Sequence, residues 1–233
     1  MLWLKAWLET RWKLLWMLFM SALLVGPPLE LFSSAQTRHP QQLLILLPIN
    51  VMLCFITAIT LAGSGIQTAS PRPGGLEKGG EGSTLFTLSL PVTRARLFAV
   101  RTAIGVLELL ALLISFNLVM WLVIPQLATN VHIGIGYFAA SVSSSLAVYA
   151  ISACLATFCD EGWRFRASGL TIMVLFMLGI GGKLPRSVDI FRGIGATSSL
   201  VVQQIPWVAI ATGCVLALLF FGAALIVIRR RDY

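Results

Sequence analysis

Between Glu108 and Asp160 run fifty-one residues without a formal charge. A helix needs about 20 apolar residues to cross the hydrocarbon core of a bilayer, so this stretch fits two crossings with a turn between them at 125–136. A second uncharged run extends from His39 to Pro71. Hydrophobic residues make up 58% of the 233, charged residues only 11%, and the mean hydropathy is +0.89. That balance describes an all-α integral membrane protein rather than a globular one. The net charge of +8 raises nucleic acid as a partner. The 17 Lys and Arg, however, gather in loops and at helix ends, as anionic lipid and the positive-inside rule require. Nucleic-acid binding is excluded on that pattern, and the lipid bilayer is the expected partner surface.

The order of segments follows from the apolar runs. Residues 1–13 read as an amphipathic, interfacial helix: Trp3, Leu4, Trp7 and Leu8 share one face, and Lys5, Glu9 and Lys13 lie four apart on another. Ser33-Ser34-Ala35 resembles a signal cleavage site, but the Trp-rich start and the Pro27-Pro28 break favour retention of the segment. Six spans are expected at 14–32, 43–66, 97–124, 137–158, 167–182 and 205–228, with a loop at 160–166 and an extracellular connection at 183–204. The chain reads as a single transmembrane domain, 1–233. With both ends cytoplasmic, thirteen of the seventeen basic residues fall on the inner side, leaving Arg38, Lys183, Arg186 and Arg192 outside. This asymmetry sets the expected topology.

Between the second and third spans lies a stretch unlike the rest. Glu81-Gly82-Ser83-Thr84-Leu85-Phe86-Thr87-Leu88-Ser89-Leu90-Pro91 follows a Gly/Pro-rich connector. As a helix ending at Pro91 it puts Ser83, Thr84 and Thr87 on one polar stripe and apolar residues around the remainder. It is too short to cross a bilayer and too apolar to lie free in water, so it needs a membrane surface and a partner. Thr93 is placed to cap the helix that follows.

These residues resemble the permeases of type-2 ABC exporters, whose matching segment reads roughly Glu-x-Gly-Thr, an apolar run, then Ser-x-Pro-Val-Ser-Arg. Here Thr93 stands where Ser is usual, and the terminal Arg229-Arg230-Arg231-Asp232-Tyr233 is similar to common endings of that family. The resemblance covers the whole chain in outline and about fifteen residues in detail. It implies that 81–91 is a coupling helix docking into a groove of a separate ATPase subunit. The implied docking residues are Glu81, Gly82, Ser83, Thr84, Leu85, Phe86, Thr87, Leu88, Leu90, Pro91 and Arg94. It also implies a second permease copy or homologue, a multi-pass location in a bacterial plasma (inner) membrane, and export of a substrate powered by the partner. The chain itself has no Gly-x-x-x-x-Gly-Lys-Ser/Thr sequence, so ATP and Mg are expected on the partner, with no cofactor and no catalytic or metal site in this chain.

Glu108, about eleven residues into the third span, is the candidate for a substrate-path or gating role, set against a plain hydrogen bond within the bundle. Asn50 and Asn117 read as interhelical glue, Ser141, Ser143, Ser144 and Ser145 as a small-residue packing face, and Glu30 as an interfacial carboxylate. Cys54, Cys154, Cys159 and Cys214 lie in apolar runs without a Cys-x-x-Cys pair and read as small buried hydrophobes. Two other classes compete. A stand-alone secondary transporter or channel would leave the 81–91 segment unexplained. An intramembrane serine protease is suggested by Gly63-Ser64-Gly65, but His39 and His132 fall on the opposite side of the bilayer from Ser64 in the expected topology.

Overall fold

The structure is a computed structural model that describes residues 3–4, 7–8, 10–12, 14–19, 46–62, 93–123, 130–159, 161–180, 184–185, 189–191 and 204–230. Among the described residues five helices are delimited, α1 (Leu46–Leu61), α2 (Arg94–Val123), α3 (Val131–Leu155), α4 (Glu161–Ile180) and α5 (Trp207–Arg230), and the described residues between 3 and 19 are helical as well. Among the described residues there is no strand. Ala95–Leu118 within α2, together with α3 and α5, are long and apolar enough to cross a membrane. They lie in the stretches expected as the third, fourth and sixth spans.

Local sequence explains the ends. Pro48 falls in the first turn of α1, where its missing N–H is no loss. Thr93 caps α2 as its position suggested: its hydroxyl oxygen accepts a long bond from the Arg96 N–H at 3.4 Å, and its carbonyl accepts from Leu97 at 3.1 Å. The last turn of α5 carries Arg229 and Arg230, which complement the negative end of the helix dipole.

Two helix starts differ from the sequence expectation. α3 begins at Val131 rather than near Tyr137, because Gly134 and Gly136 are not turn residues. Both are buried, and a Cβ on Gly136 would stand 2.9 Å from the Ile205 side chain, so here glycine permits close approach. α4 begins at Glu161, so most of the stretch read as a loop at 160–166 is helical.

The core lies where α1, α2 and α3 meet, with Phe55, Leu61, Leu109, Leu113, Tyr137 and Val148 among its buried members. α3 is its axis and pairs most extensively with α5. Its serines are buried, and three of them, in a setting without water, bond within their own helix: Ser141 donates to the Tyr137 carbonyl at 2.9 Å, and Ser143 and Ser144 to that of Ala140 at 3.1 and 2.7 Å. They form the packing face that their small size implied, with the backbone of Ser143 against Gly213 of α5. Asn117 behaves differently from its expected role, donating to the Leu113 carbonyl of its own helix at 2.8 Å.

Part of the 183–204 connection enters the bundle. Ile190 and Phe191 are buried, and the Phe191 ring packs edge-on against Phe55 (4.9 Å) and Phe176 (5.9 Å). Asp189 accepts the Phe191 N–H at 3.1 Å and holds the turn in place. The four cysteines are unpaired as disulfides; Cys54 is buried and Cys214 exposed, so the expectation of buried hydrophobes does not extend to Cys214.

Candidate functional site: a buried charged layer

Arg101, Gly105 and Glu108 recur at spacings of four and three along α2, which sets them on one face, all buried. The rise of a helix separates Arg101 from Glu108 by about 10 Å. Glu108 is 3% exposed. Its carboxylate accepts a hydrogen bond from the hydroxyl of Thr10, a residue ninety-eight positions earlier in the chain. Thr10 is itself buried, and Met17 and Leu18 beyond it pack against the core. The helical residues near the start of the chain are therefore fastened to the bundle along one side. Their other side shows Trp3, Trp7, Trp12, Trp16 and Phe19 to the surroundings, with Arg11 over the Trp12 ring at 5.7 Å.

Tyr149 crosses from α3 to the same layer. Its hydroxyl donates to the Thr102 carbonyl at 3.4 Å, and its ring lies over Gly105. Any Cβ at Gly105 would run into the tyrosine oxygen and sit 3.0 Å from Cζ, so glycine is required for the two helices to meet here. On α4, Arg164 is only 1% exposed and is the largest fully buried side chain among the described residues. Ser168, one turn on, meets Ser152 of α3 hydroxyl to hydroxyl at 3.0 Å, which fixes the inner face of α4 against α3. Two guanidiniums, a carboxylate and a phenol from α2, α3 and α4 are thus buried within the bundle, and a threonine from the start of the chain holds the carboxylate.

Charges are retained in such a place only when they hold one another, since removing one partner from a low-dielectric interior is far worse than removing both. The links the structure shows are those of Glu108 with Thr10, of Tyr149 with the Thr102 carbonyl and of Ser168 with Ser152, so α2 is tied to the residues near the start of the chain and to α3, and α3 to α4. Of the residues singled out from sequence, Glu108 takes part. Arg94 begins α2, while Glu81 to Pro91, Ser64, His39, Asn50's side chain and Glu30 lie outside the described residues. His132 is exposed at the start of α3, the opposite end from Arg164. Among the described residues no three His, Cys, Asp or Glu side chains converge.

Sequence reasoning missed Arg101, Arg164, Tyr149 and Thr10. Arg101 was legible in principle, since seven residues from Glu108 is two turns on the same face. Arg164 was not, because its neighbours come from other helices. Compared with family models, curated proteins and solved structures, the chain finds a match in none of the three, so the purpose of this layer rests on its own geometry and on the sequence beside it.

Proposed function

We propose that this chain is the membrane-spanning permease subunit of a type-2 ABC exporter, working with a separate ATPase subunit and a second permease copy or homologue. The observation that carries the reading is the sequence Glu81 to Pro91, which leads within two residues into the Thr93-capped helix α2. In this reading the chain has six spans with both ends in the cytoplasm of a bacterial-type cell. Residues 81–91 form the coupling helix, and Phe86 and Leu88 supply its apolar docking side.

The buried layer gives that reading a mechanical route. A push delivered before Thr93 enters α2 at its capped end. α2 is a continuous helix of thirty residues, so it carries displacement along its length. The displacement reaches Arg101 and Glu108, and with them the Glu108–Thr10 bond and the contact of Tyr149 with the Thr102 carbonyl. Glu108, buried and held by Thr10, suits a gating latch better than a wall of the substrate path. ATP closure of the paired ATPases would drive the change, and α3, α4 and the N-terminal helix would follow α2.

The test is co-purification of this chain with an ABC ATPase subunit from the same cell. Replacing both Phe86 and Leu88 by Asp should abolish the association while membrane insertion stays normal. Full association of the double variant removes the docking assignment and, with it, the reading.

A further inference from the structure

One end of the bundle is built differently from the other. Phe98 of α2, Ile228 of α5 and Cys154 of α3 pack together there, and the Ser152–Ser168 contact brings the start of α4 to the same level. Around that end stand Arg96, Arg166, Arg229 and Arg230, all exposed. At the same end Trp163 is 61% exposed and Phe158 59% exposed. Among the described side chains the only carboxylates are Glu108, buried on α2, and Asp189, at the far end of α4 beside Gly179. Neither of these two lies at this end of the bundle.

The helix dipoles explain only half of them. Arg229 and Arg230 end α5, where a cation is favoured. Arg96 stands in the first turn of α2, where the dipole repels a cation, and Arg166 in the second turn of α4, where the dipole offers it no support. Cations kept there, with large aromatic rings exposed beside them, call for an external anion at an apolar boundary. Arg166 also stands over the Trp163 ring at 5.7 Å. Stacking occupies the flat face of a guanidinium and leaves its N–H edge for oxygen acceptors. An indole is at home at the level of lipid headgroups.

We propose that this end of the bundle seats the phosphate headgroups of anionic phospholipids, with the Arg166–Trp163 pair on the α4 side and Arg96, Arg229 and Arg230 on the side of α2 and α5. The proposal does not depend on the exporter reading, since it uses only the charge and shape of one end.

The full chain, placed in nanodiscs of phosphatidylcholine alone or mixed with phosphatidylglycerol, provides the test. Thermal stability should be higher in the mixed discs, and native mass spectrometry after release should show phosphatidylglycerol retained in preference to phosphatidylcholine. Each arginine near a headgroup should account for about a fivefold preference at low salt, and added salt should shrink it. R166Q alone should weaken retention measurably, and R96Q/R166Q/R229Q/R230Q should abolish both the retention and the stability gain while stability in phosphatidylcholine stays at the wild-type level. Retention unchanged in R166Q, or unaffected by salt in the wild type, overturns the proposal even if the fourfold variant does not fold. An equal stability gain from soluble glycerophosphate, in detergent without lipid, overturns the lipid as occupant.

Discussion

α3 and α5 are close in length, 25 and 24 residues, and both are apolar enough to cross a membrane, yet they live in different surroundings. Of the membrane-length window in α3, 72% is buried inside the protein; in α5 the share is 17%. Composition follows placement. α3 carries serine, alanine, glycine and tyrosine where a purely lipid-facing helix has no need of them, and its buried hydroxyls turn back on their own carbonyls. α5 buries a single stripe of small residues, Ala209, Gly213, Ala217 and Ala224, and turns Leu218, Leu219, Val215 and Ile226 outward. Between apolar helices in lipid there is no hydrophobic gain from contact alone, so close approach and dispersion decide the pairing. The difference teaches that hydropathy locates a span but residue size assigns its place.

The largest break in that comparison should come at Gly213. A Cβ added there would lie 3.0 Å from the Ser143 carbonyl oxygen and 3.1 Å from its carbon, backbone atoms that cannot swing aside. Gly213→Leu must therefore separate α5 from α3 or distort both. Overpacking of this kind costs about 1–3 kcal/mol and at times more. Thermal unfolding in detergent should show a fall of several degrees, about 2–4 °C per kcal/mol for a chain of this size. A variant that melts with the wild type would mean that α5 is not seated on α3 through Gly213.

Much of the helical layout was legible because a bilayer leaves few choices: long uncharged runs become spanning helices, and Thr93 before a basic, apolar stretch reads as a cap. The small-residue face at Ser141 to Ser145 was legible for the same reason, since small polar residues in lipid belong between helices. What failed was the reading of Gly134 and Gly136. A glycine in a turn and a glycine at a helix crossing look alike in sequence, and only the facing Ile205 distinguishes them. The charged layer was half legible. Glu108 stood out as a carboxylate within an apolar run, whereas Arg164 looked like one more loop cation, and only the packing of α4 on α3, with Ser168 against Ser152, puts it inside. Ile190 and Phe191 escaped notice because two apolar residues in a mixed loop carry no period.

A smaller effect should sharpen the picture of α3 as a helix held by polar contacts as well as by fit. Ser152 and Ser168 form a hydroxyl pair at 3.0 Å between α3 and α4. Such pairs average about 0.6 kcal/mol in double-mutant cycles within membrane bundles, because the separated helices find other partners. Ser152→Ala, Ser168→Ala and the double variant should therefore show a coupling of that order, measured by unfolding in mixed micelles. Coupling indistinguishable from zero would leave the seating of α4 to shape alone.

The smallest effect is expected one residue from a position where the opposite holds. Ala217 is 1% exposed and Leu218 is 72% exposed, so a single step along α5 passes from the α3 interface to the outer surface. Truncating a leucine in a water-soluble core removes it from an apolar setting into a cavity and costs about 2–5 kcal/mol. On the outer face of a membrane helix, lipid tails fill the space left behind, and the folded and dissociated helices expose the same atoms to the same solvent. Leu218→Ala should then change stability by no more than about 0.5 kcal/mol, as surface substitutions do. Ala217→Leu, with a similar change in volume and the opposite sign, should destabilise by an amount close to that of Gly213→Leu, because both press on α3. Measuring the two variants side by side removes most differences in expression and detergent. Should Leu218→Ala lower the melting temperature as far as Ala217→Leu does, the outer face of α5 is packed against protein, and the contrast between the two helices reflects an isolated chain. Measuring the mass of the complex in the same detergent would then show whether the covering surface is a second copy lost in the variant.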